Sequence, residues 1–172
     1  GIYYLEPGSS VRPSNIVYDR AGSSIACATA DLFDFDAIFA DADWFHFTGI
    51  TPALSDSAAK LTEEALKAAK AHGLTVSVDL NFRKKLWSQE KAREVMTNLM
   101  QYVDICIGNE EDAEKVLGFK PEGSDVMSGN LELSGYMNIF GQMADRFGFR
   151  YIASSLRESH SASNNGWSAC IK

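Results

Sequence analysis

Cysteine is scarce in this sequence of 172 residues. Cys27, Cys106 and Cys170 are three in number, and no two of them lie close together along the chain. They therefore suggest neither a framework of disulfide bonds nor the paired spacing of a metal site. This usage favours a reducing, cytoplasmic setting.

Long apolar segments and an excess of positive charge are missing too. No uncharged apolar run reaches the roughly 18 residues that cross a membrane, and no charged, apolar and small-residue series indicates a signal peptide. Lysine and arginine number 16 against 23 aspartate and glutamate residues, which gives a formal net charge of −7. Because this balance disfavours binding to a phosphate backbone, we expect neither nucleic-acid nor membrane partners.

Several catalytic motifs are absent. No Walker-type loop and no Gly-x-Gly-x-x-Gly follows a predicted strand, which argues against P-loop nucleotide hydrolases and Rossmann dinucleotide-binding proteins. No spacing of serine or cysteine with histidine indicates nucleophilic catalysis. His46 lies among aromatic strand residues and His72 lies beside Gly73 at a helix end, so a structural role is the simpler interpretation of both.

The composition is that of a globular domain, with 45% hydrophobic and 23% charged residues. A chain of this length buries roughly 70% of its extended surface, which is enough for one substantial core. The sequence lacks an initiator methionine, and both of its ends fall in strand-like sequence. We therefore expect a chain that is incomplete at both ends.

The spacing of apolar residues predicts alternating strands and helices after residue 30. The predicted strands cover residues 44–48, 74–79, 104–108 and 150–155, with a last strand at Trp167. The predicted helices cover residues 35–42, 58–71, 88–102, 109–118 and 136–147, with loops over 120–135 and before the last strand. This order is typical of a parallel sheet flanked by helices, whereas residues 1–30 resemble a small β appendage.

Polar residues follow three of the predicted strands, where parallel sheets place their ligands. Residues 79–85 combine an acid and an amide with Arg83, Lys84 and Lys85, which suit a phosphate or carboxylate. For the cations alone, solvated surface is the simpler interpretation. Residues 109–112 also fit an ordinary helix N-cap. Residues 154–160 could wrap a nucleotide or form a polar turn.

Five segments carry a further pattern: the Tyr4 region and residues 16–20, 47–54, 79–87 and 108–114. In this order they resemble the central portion of the ribokinase-like, or PfkB, family of carbohydrate kinases. The resemblance implies an α/β fold of αβα layers with a mostly parallel central sheet and part of a small β lid. Residues 1–30 would form the partial lid and its connection, and residues 31–172 the partial kinase core.

The resemblance also implies roles for individual residues. Tyr4, Tyr18 and Arg20 would meet a sugar acid from the lid, and Arg83 would meet it from the sheet. Because two arginines suit a carboxylate, the subgroup that phosphorylates 2-keto-3-deoxygluconate with ATP is favoured. The other matching residues would bind ATP and Mg²⁺, the ion through water rather than directly: Asn81, Asn109, Glu110, Asp112, Ser155 and Arg157.

The sequence departs from the family pattern at three points. Asp112 stands where the Asn-x-x-Glu element has glutamate, and Arg157 stands where the family often has glycine. The Gly-Ala-Gly-Asp segment is absent, so we expect the general base to lie outside this chain and the chain alone to be inactive.

Three alternatives to a 2-keto-3-deoxygluconate kinase remain open. The first is another PfkB sugar kinase such as fructokinase or ribokinase. The second is a non-catalytic sugar-binding α/β module, and the third is a structural fragment that binds nothing. The parent kinase would be cytoplasmic and would pair through its lid.

Overall fold

Two separate sheets organise the chain in the computed structural model, which describes residues 1–119, 133–159 and 164–172. The smaller sheet is an antiparallel hairpin of β1 (Ile2–Glu6) and β2 (Asn15–Asp19). The larger sheet has five strands in chain order, namely β3 (Trp44–Thr48), β4 (Thr75–Asp79), β5 (Ile105–Gly108), β6 (Tyr151–Ser159) and β7 (Asn165–Ile171). Strands β3 to β6 are parallel and β7 is antiparallel to β6, so the expected mostly parallel α/β sheet is confirmed.

Helices occupy the connections between the strands. They are α1 (Ser24–Cys27), α2 (Phe35–Phe39), α3 (Asp56–Ala71), α4 (Gln89–Leu99), α5 (Glu110–Asp112) and α6 (Leu133–Phe147). Turns of 3-10 helix cover Ala30–Leu32 and Met100–Tyr102, and a π-helical segment, Ala113–Leu117, continues α5. Ser55 and Ser88 begin α3 and α4 as N-caps, since each hydroxyl accepts a backbone N–H three residues further on. None of the described helices is long and apolar enough to cross a membrane.

The core lies between one face of the large sheet and the helices. Val76, Val78, Cys106 and Ile152 are all at most 3% exposed on that face, and they pack with residues of α3, α4 and α6. The opposite face of the sheet carries exposed side chains, among them Trp44 at 56% and Tyr151 at 48%. The described helices therefore form one of the two outer layers of an αβα arrangement.

The predicted elements agree with the structure except at some ends. The strand over residues 44–48 is confirmed at both ends. The predicted loop over 120–135 is wrong at its end, because residues 133–135 belong to α6, and residues 120–132 lie outside the described part. The helix predicted over 35–42 ends at Phe39. Strand β6 does not end at residue 155 but continues to Ser159, because β7 supplies backbone partners as far as Asn165.

Gly49 lies where the loop after β3 approaches the end of β4. Its N–H donates to the carbonyl oxygen of Asp79 at 2.8 Å, and a Cβ added to it would lie only 2.1 Å from the carbonyl oxygen of Leu80. Since backbone must move to admit a methyl group, Gly49→Ala is expected to lower the free energy of unfolding by about 3 kcal/mol. Urea denaturation of the chain measures this loss.

A matched control for Gly49→Ala is Gly141→Ala in α6. There the nearest atom to an added Cβ is the Lys172 Nζ at 3.6 Å, an ordinary contact. The helix should gain about 0.5–1 kcal/mol from the better helix former. Equal effects of the two substitutions would contradict the close approach at Gly49.

Candidate active site

A cleft of about 1030 Å³ opens at the carboxyl ends of β4 and β5. One wall comes from β2 of the small hairpin, a second from residues 81–86 after β4, and a third from the start of α5. The hairpin therefore forms one side of the cleft. In open parallel sheets this edge is where ligands bind, because loops and helix starts converge there.

Most of the residues singled out from the sequence line this one cleft: Tyr18, Arg20, Asn81, Arg83, Asn109, Asp112 and Ser155. Tyr4 lies on the same hairpin, opposite Val17, but is not among the lining residues. The side chains of Glu110 and Arg157 lie outside the described part of the structure. The ligand roles of all these residues remain predictions.

Two arginines reach the cleft from different elements. Arg20 follows β2, and its guanidinium carbon lies 4.2 Å from the centroid of the Tyr18 ring, a cation–π contact that holds it beside the lid. Arg83 belongs to the loop after β4 and also lines the cleft. Among the described residues, neither guanidinium has a carboxylate within salt-bridge distance. Both remain available to an anionic ligand.

The loop after β4 is held by hydrogen bonds at its start. Asn81 adopts φ +40°, a left-handed conformation that asparagine tolerates better than most residues, and its Nδ2 donates to Thr48 Oγ1 at 3.3 Å. The next N–H, that of Phe82, donates to Asp112 Oδ1 at 3.0 Å. These bonds fix the point from which Arg83 enters the cleft.

Asp112 joins that loop to the start of α5. Its second oxygen accepts the N–H of Asn109 at 3.3 Å, and Asn109 Oδ1 in turn accepts the N–H of Asp112 at 2.8 Å. This reciprocal pair is the helix-capping arrangement that the sequence allowed. Burial raises the pKa of the Asp112 carboxyl, as do the nearby charges of Asp79 and Glu111, whereas the two N–H bonds act in the opposite direction.

Ser155 reaches the cleft from within a strand. The interpretation of this segment as a strand end is wrong for residues 154–159, because they belong to β6 and pair with β7. The neighbouring Ser154 points into the core, where its hydroxyl is buried without a hydrogen-bond partner in the described part of the chain. Serines lie on both faces of this strand, so its sequence lacks the alternation of apolar and polar residues from which a strand is predicted.

The sequence interpretation missed an ion pair at the rim of the cleft. Lys115 and Glu111 form a salt bridge and line the cleft. The Lys115 Nζ also lies 5.9 Å from the centroid of the Phe82 ring. The signal that could have revealed them is their spacing of four residues at the start of a helix.

A family model described as "pfkB family carbohydrate kinase" matches residues 3–128. The chain belongs to the pfkB family of carbohydrate kinases. The resemblance inferred from the sequence motifs is thereby confirmed.

Two similar proteins are kinases of 2-dehydro-3-deoxy sugar acids. The prefix 2-dehydro is a synonym of 2-keto. A 2-dehydro-3-deoxygalactonokinase of Haloferax volcanii is 39% identical over 135 residues, which are 77% of this chain and 42% of that protein. A 2-dehydro-3-deoxygluconokinase of Thermoproteus tenax is 32% identical over 127 residues, 70% of this chain and 36% of that protein.

A solved structure agrees with these relatives. The crystal structure of the 2-dehydro-3-deoxygluconokinase of Thermotoga maritima is 46% identical, with a TM-score of 0.92 over 100% of this chain and 50% of that chain. This chain thus spans half or less of the length of the proteins it matches.

Proposed function

We propose that the protein phosphorylates 2-keto-3-deoxygluconate at its terminal hydroxyl with ATP. The observation that carries the proposal is that Arg20 from the lid side and Arg83 from the sheet line the same cleft. A sugar acid brings one carboxylate to this cleft, and a guanidinium fork is the side chain best matched to it. Fructose and ribose lack that group and would leave both arginines without a partner.

The C4 epimer, 2-keto-3-deoxygalactonate, is a second candidate substrate. It is supported by the Haloferax relative, which is a kinase of the galacto compound and is 39% identical to this chain. Both epimers carry the carboxylate that the two arginines would bind. The arginine pair therefore supports the sugar-acid class as a whole.

ATP and Mg²⁺ fit the polar groups of the cleft. Asn81, Asn109, Asp112 and Ser155 line it together with Asp79 and Glu111, which lie close enough to raise the pKa of the Asp112 carboxyl. Carboxylate and amide oxygens are the ligands that Mg²⁺ prefers, and the ion commonly keeps several waters and binds substrate phosphates. Each oxygen of Asp112 already accepts one N–H group, and the resemblance to the family implies that its contact with the ion passes through water.

Each group has a separate task in this proposal. Asp112 would help to hold Mg²⁺ through water, and the chemistry that the ion would supply is neutralisation of the negative charge on the transferred phosphoryl group. Asn81, Asn109 and Ser155 would orient the nucleotide phosphates, and the lid would exclude water from the sugar. The general base would lie outside this chain, so the chain alone would bind its ligands without turnover.

The proposal extends to assembly and location. The lid hairpin exposes apolar side chains, such as Tyr3 at 63% and Leu5 at 54%, and an isolated two-stranded hairpin is only marginally stable in water. We propose that two lids pack together in the parent protein. The three cysteines are free thiols, which supports a reducing, cytoplasmic location.

A substrate panel tests the proposed function. The complete protein is assayed for ADP release with 2-keto-3-deoxygluconate, 2-keto-3-deoxygalactonate, fructose and ribose. We expect kcat/KM for at least one sugar acid to exceed that for fructose about 100-fold, because fructose leaves both arginines without an anionic partner. Phosphorylation of fructose or ribose with no activity on either acid would overturn the assignment.

A further inference from the structure

We propose that Lys84 and Lys85 bind the phosphoryl groups of a nucleoside triphosphate, as a site separate from the two arginines. The inference rests on the proposed function and deepens it, because it assigns the cations of the cleft to two different anions. From the sequence alone, solvated surface is the simpler interpretation of these lysines.

Several lysines of the described chain are paired with carboxylates, although the exposed Lys60 is not. The pairs join Lys67 with Glu63 and Glu64, Lys70 with Asp104, Lys91 with Asp56 and, within the cleft, Lys115 with Glu111. Arg83, Lys84 and Lys85 line the cleft and have no such partner among the described residues. Three consecutive cations that lack ion-pair partners repel one another, and an anion placed among them relieves that repulsion.

The loop holds the lysines beside the residues expected to bind ATP. Phe82, two residues before Lys84, is tied to Asp112 at the start of α5, and the N–H of Leu86 donates to the carbonyl oxygen of Arg83 at 2.8 Å. The turn that carries both lysines is thus closed at each end. It lines the same cleft as Asn109 and Asp112.

The two kinds of cation suit different ligands. A guanidinium offers a planar fork of donors that matches a carboxylate, whereas an ammonium is a compact point charge with three donors that serves well against phosphate oxygens. A triphosphate carries more charge than a sugar acid. Binding through two exposed lysines should therefore depend more steeply on salt than binding through the arginines.

Equilibrium titrations of this chain test the inference. ATP, AMP, inorganic tripolyphosphate and 2-keto-3-deoxygluconate are titrated at two salt concentrations into the chain and into its Lys84→Gln/Lys85→Gln variant. We expect the variant to bind ATP and tripolyphosphate about tenfold more weakly than the unsubstituted chain. Its affinity for AMP and the sugar acid should stay within about twofold, and its ATP binding should depend less on salt.

Lys60→Gln is the matched control, because Lys60 is an exposed lysine of α3 that does not line the cleft. It should leave every titration unchanged. Unchanged ATP affinity in the double variant would overturn the inference. An equal loss of affinity for the sugar acid would overturn it too, as would failure of the unsubstituted chain to bind tripolyphosphate. None of these results decides the proposed function, which is tested by the substrate panel on the complete protein.

Discussion

Replacing Arg83 with glutamine in the complete protein is expected to lower kcat/KM for 2-keto-3-deoxygluconate about 100-fold. Removing one partner of a close charge pair costs roughly 2–5 kcal/mol, and about 2.7 kcal/mol corresponds to a 100-fold loss. Arg83→Lys should recover only part of the activity, because it restores the charge but not the planar fork of donors. Steady-state kinetics over a range of sugar-acid concentrations measures both effects.

The substrate itself supplies the control for Arg83. A slow substrate without a carboxylate, such as fructose, should lose little when Arg83 is replaced, because it makes no ion pair there. Arg20→Gln should show the same selectivity for the acid, since Arg20 lines the same cleft. An Arg83→Gln enzyme that keeps its activity on the sugar acid, or that loses activity equally on every sugar, would contradict the assignment.

Replacing Asp112 with alanine is expected to lower the free energy of unfolding of the chain by about 3 kcal/mol. The residue is 7% exposed, and its carboxylate accepts two backbone N–H groups, those of Phe82 and Asn109. Each donor left unsatisfied in a buried position costs about 1–3 kcal/mol. Asp112→Asn should be less damaging than alanine, because one amide oxygen can still accept one of the two N–H groups. Urea denaturation measures both variants.

The pH dependence of stability tests how burial affects the Asp112 carboxyl. Burial raises the pKa of this carboxyl above its ordinary value of 3.8, so the native state holds the proton more tightly than the unfolded state does. Its contribution to stability is therefore complete below about pH 3.8 and is lost as the pH rises through the raised pKa. The native chain should lose stability relative to Asp112→Asn over that interval. A relative gain would mean that the N–H bonds outweigh burial.

Much of the fold follows from the spacing of apolar residues. Strand β3 and helix α3 could be located because their side chains alternate or recur at helical spacing. The sequence offers Ser55 or Ser57 as the N-cap of α3 and Gly73 at its end, and the structure contains the Ser55 cap, so that α3 begins two residues before the predicted residue 58. The end of β6 could not be located, because Ser154, Ser155 and Ser159 conceal its alternation and its pairing with β7 is not local. Tertiary pairing overrides the weak strand preference of such residues.

Part of the candidate site could also be predicted from the sequence, but from a family resemblance rather than from the spacing of apolar residues. Arg20 and Arg83 lie far apart along the chain, and no local pattern places them in one cleft; their combination was inferred from a family resemblance. At Asn109 and Asp112 the sequence allowed a capping motif and a functional element, and the structure contains the cap. The bond from Phe82 to Asp112 crosses between two loops and has no local sequence signature.

A crystal structure of the complete protein with 2-keto-3-deoxygluconate and a non-hydrolysable ATP analogue tests the central claim most directly. We predict that the carboxylate of the sugar acid contacts Arg20 and Arg83 beneath the lid, with the triphosphate beside Asn109 and residues 84–85. A sugar acid bound with its carboxylate away from both arginines, or outside the cleft at the ends of β4 and β5, would contradict it.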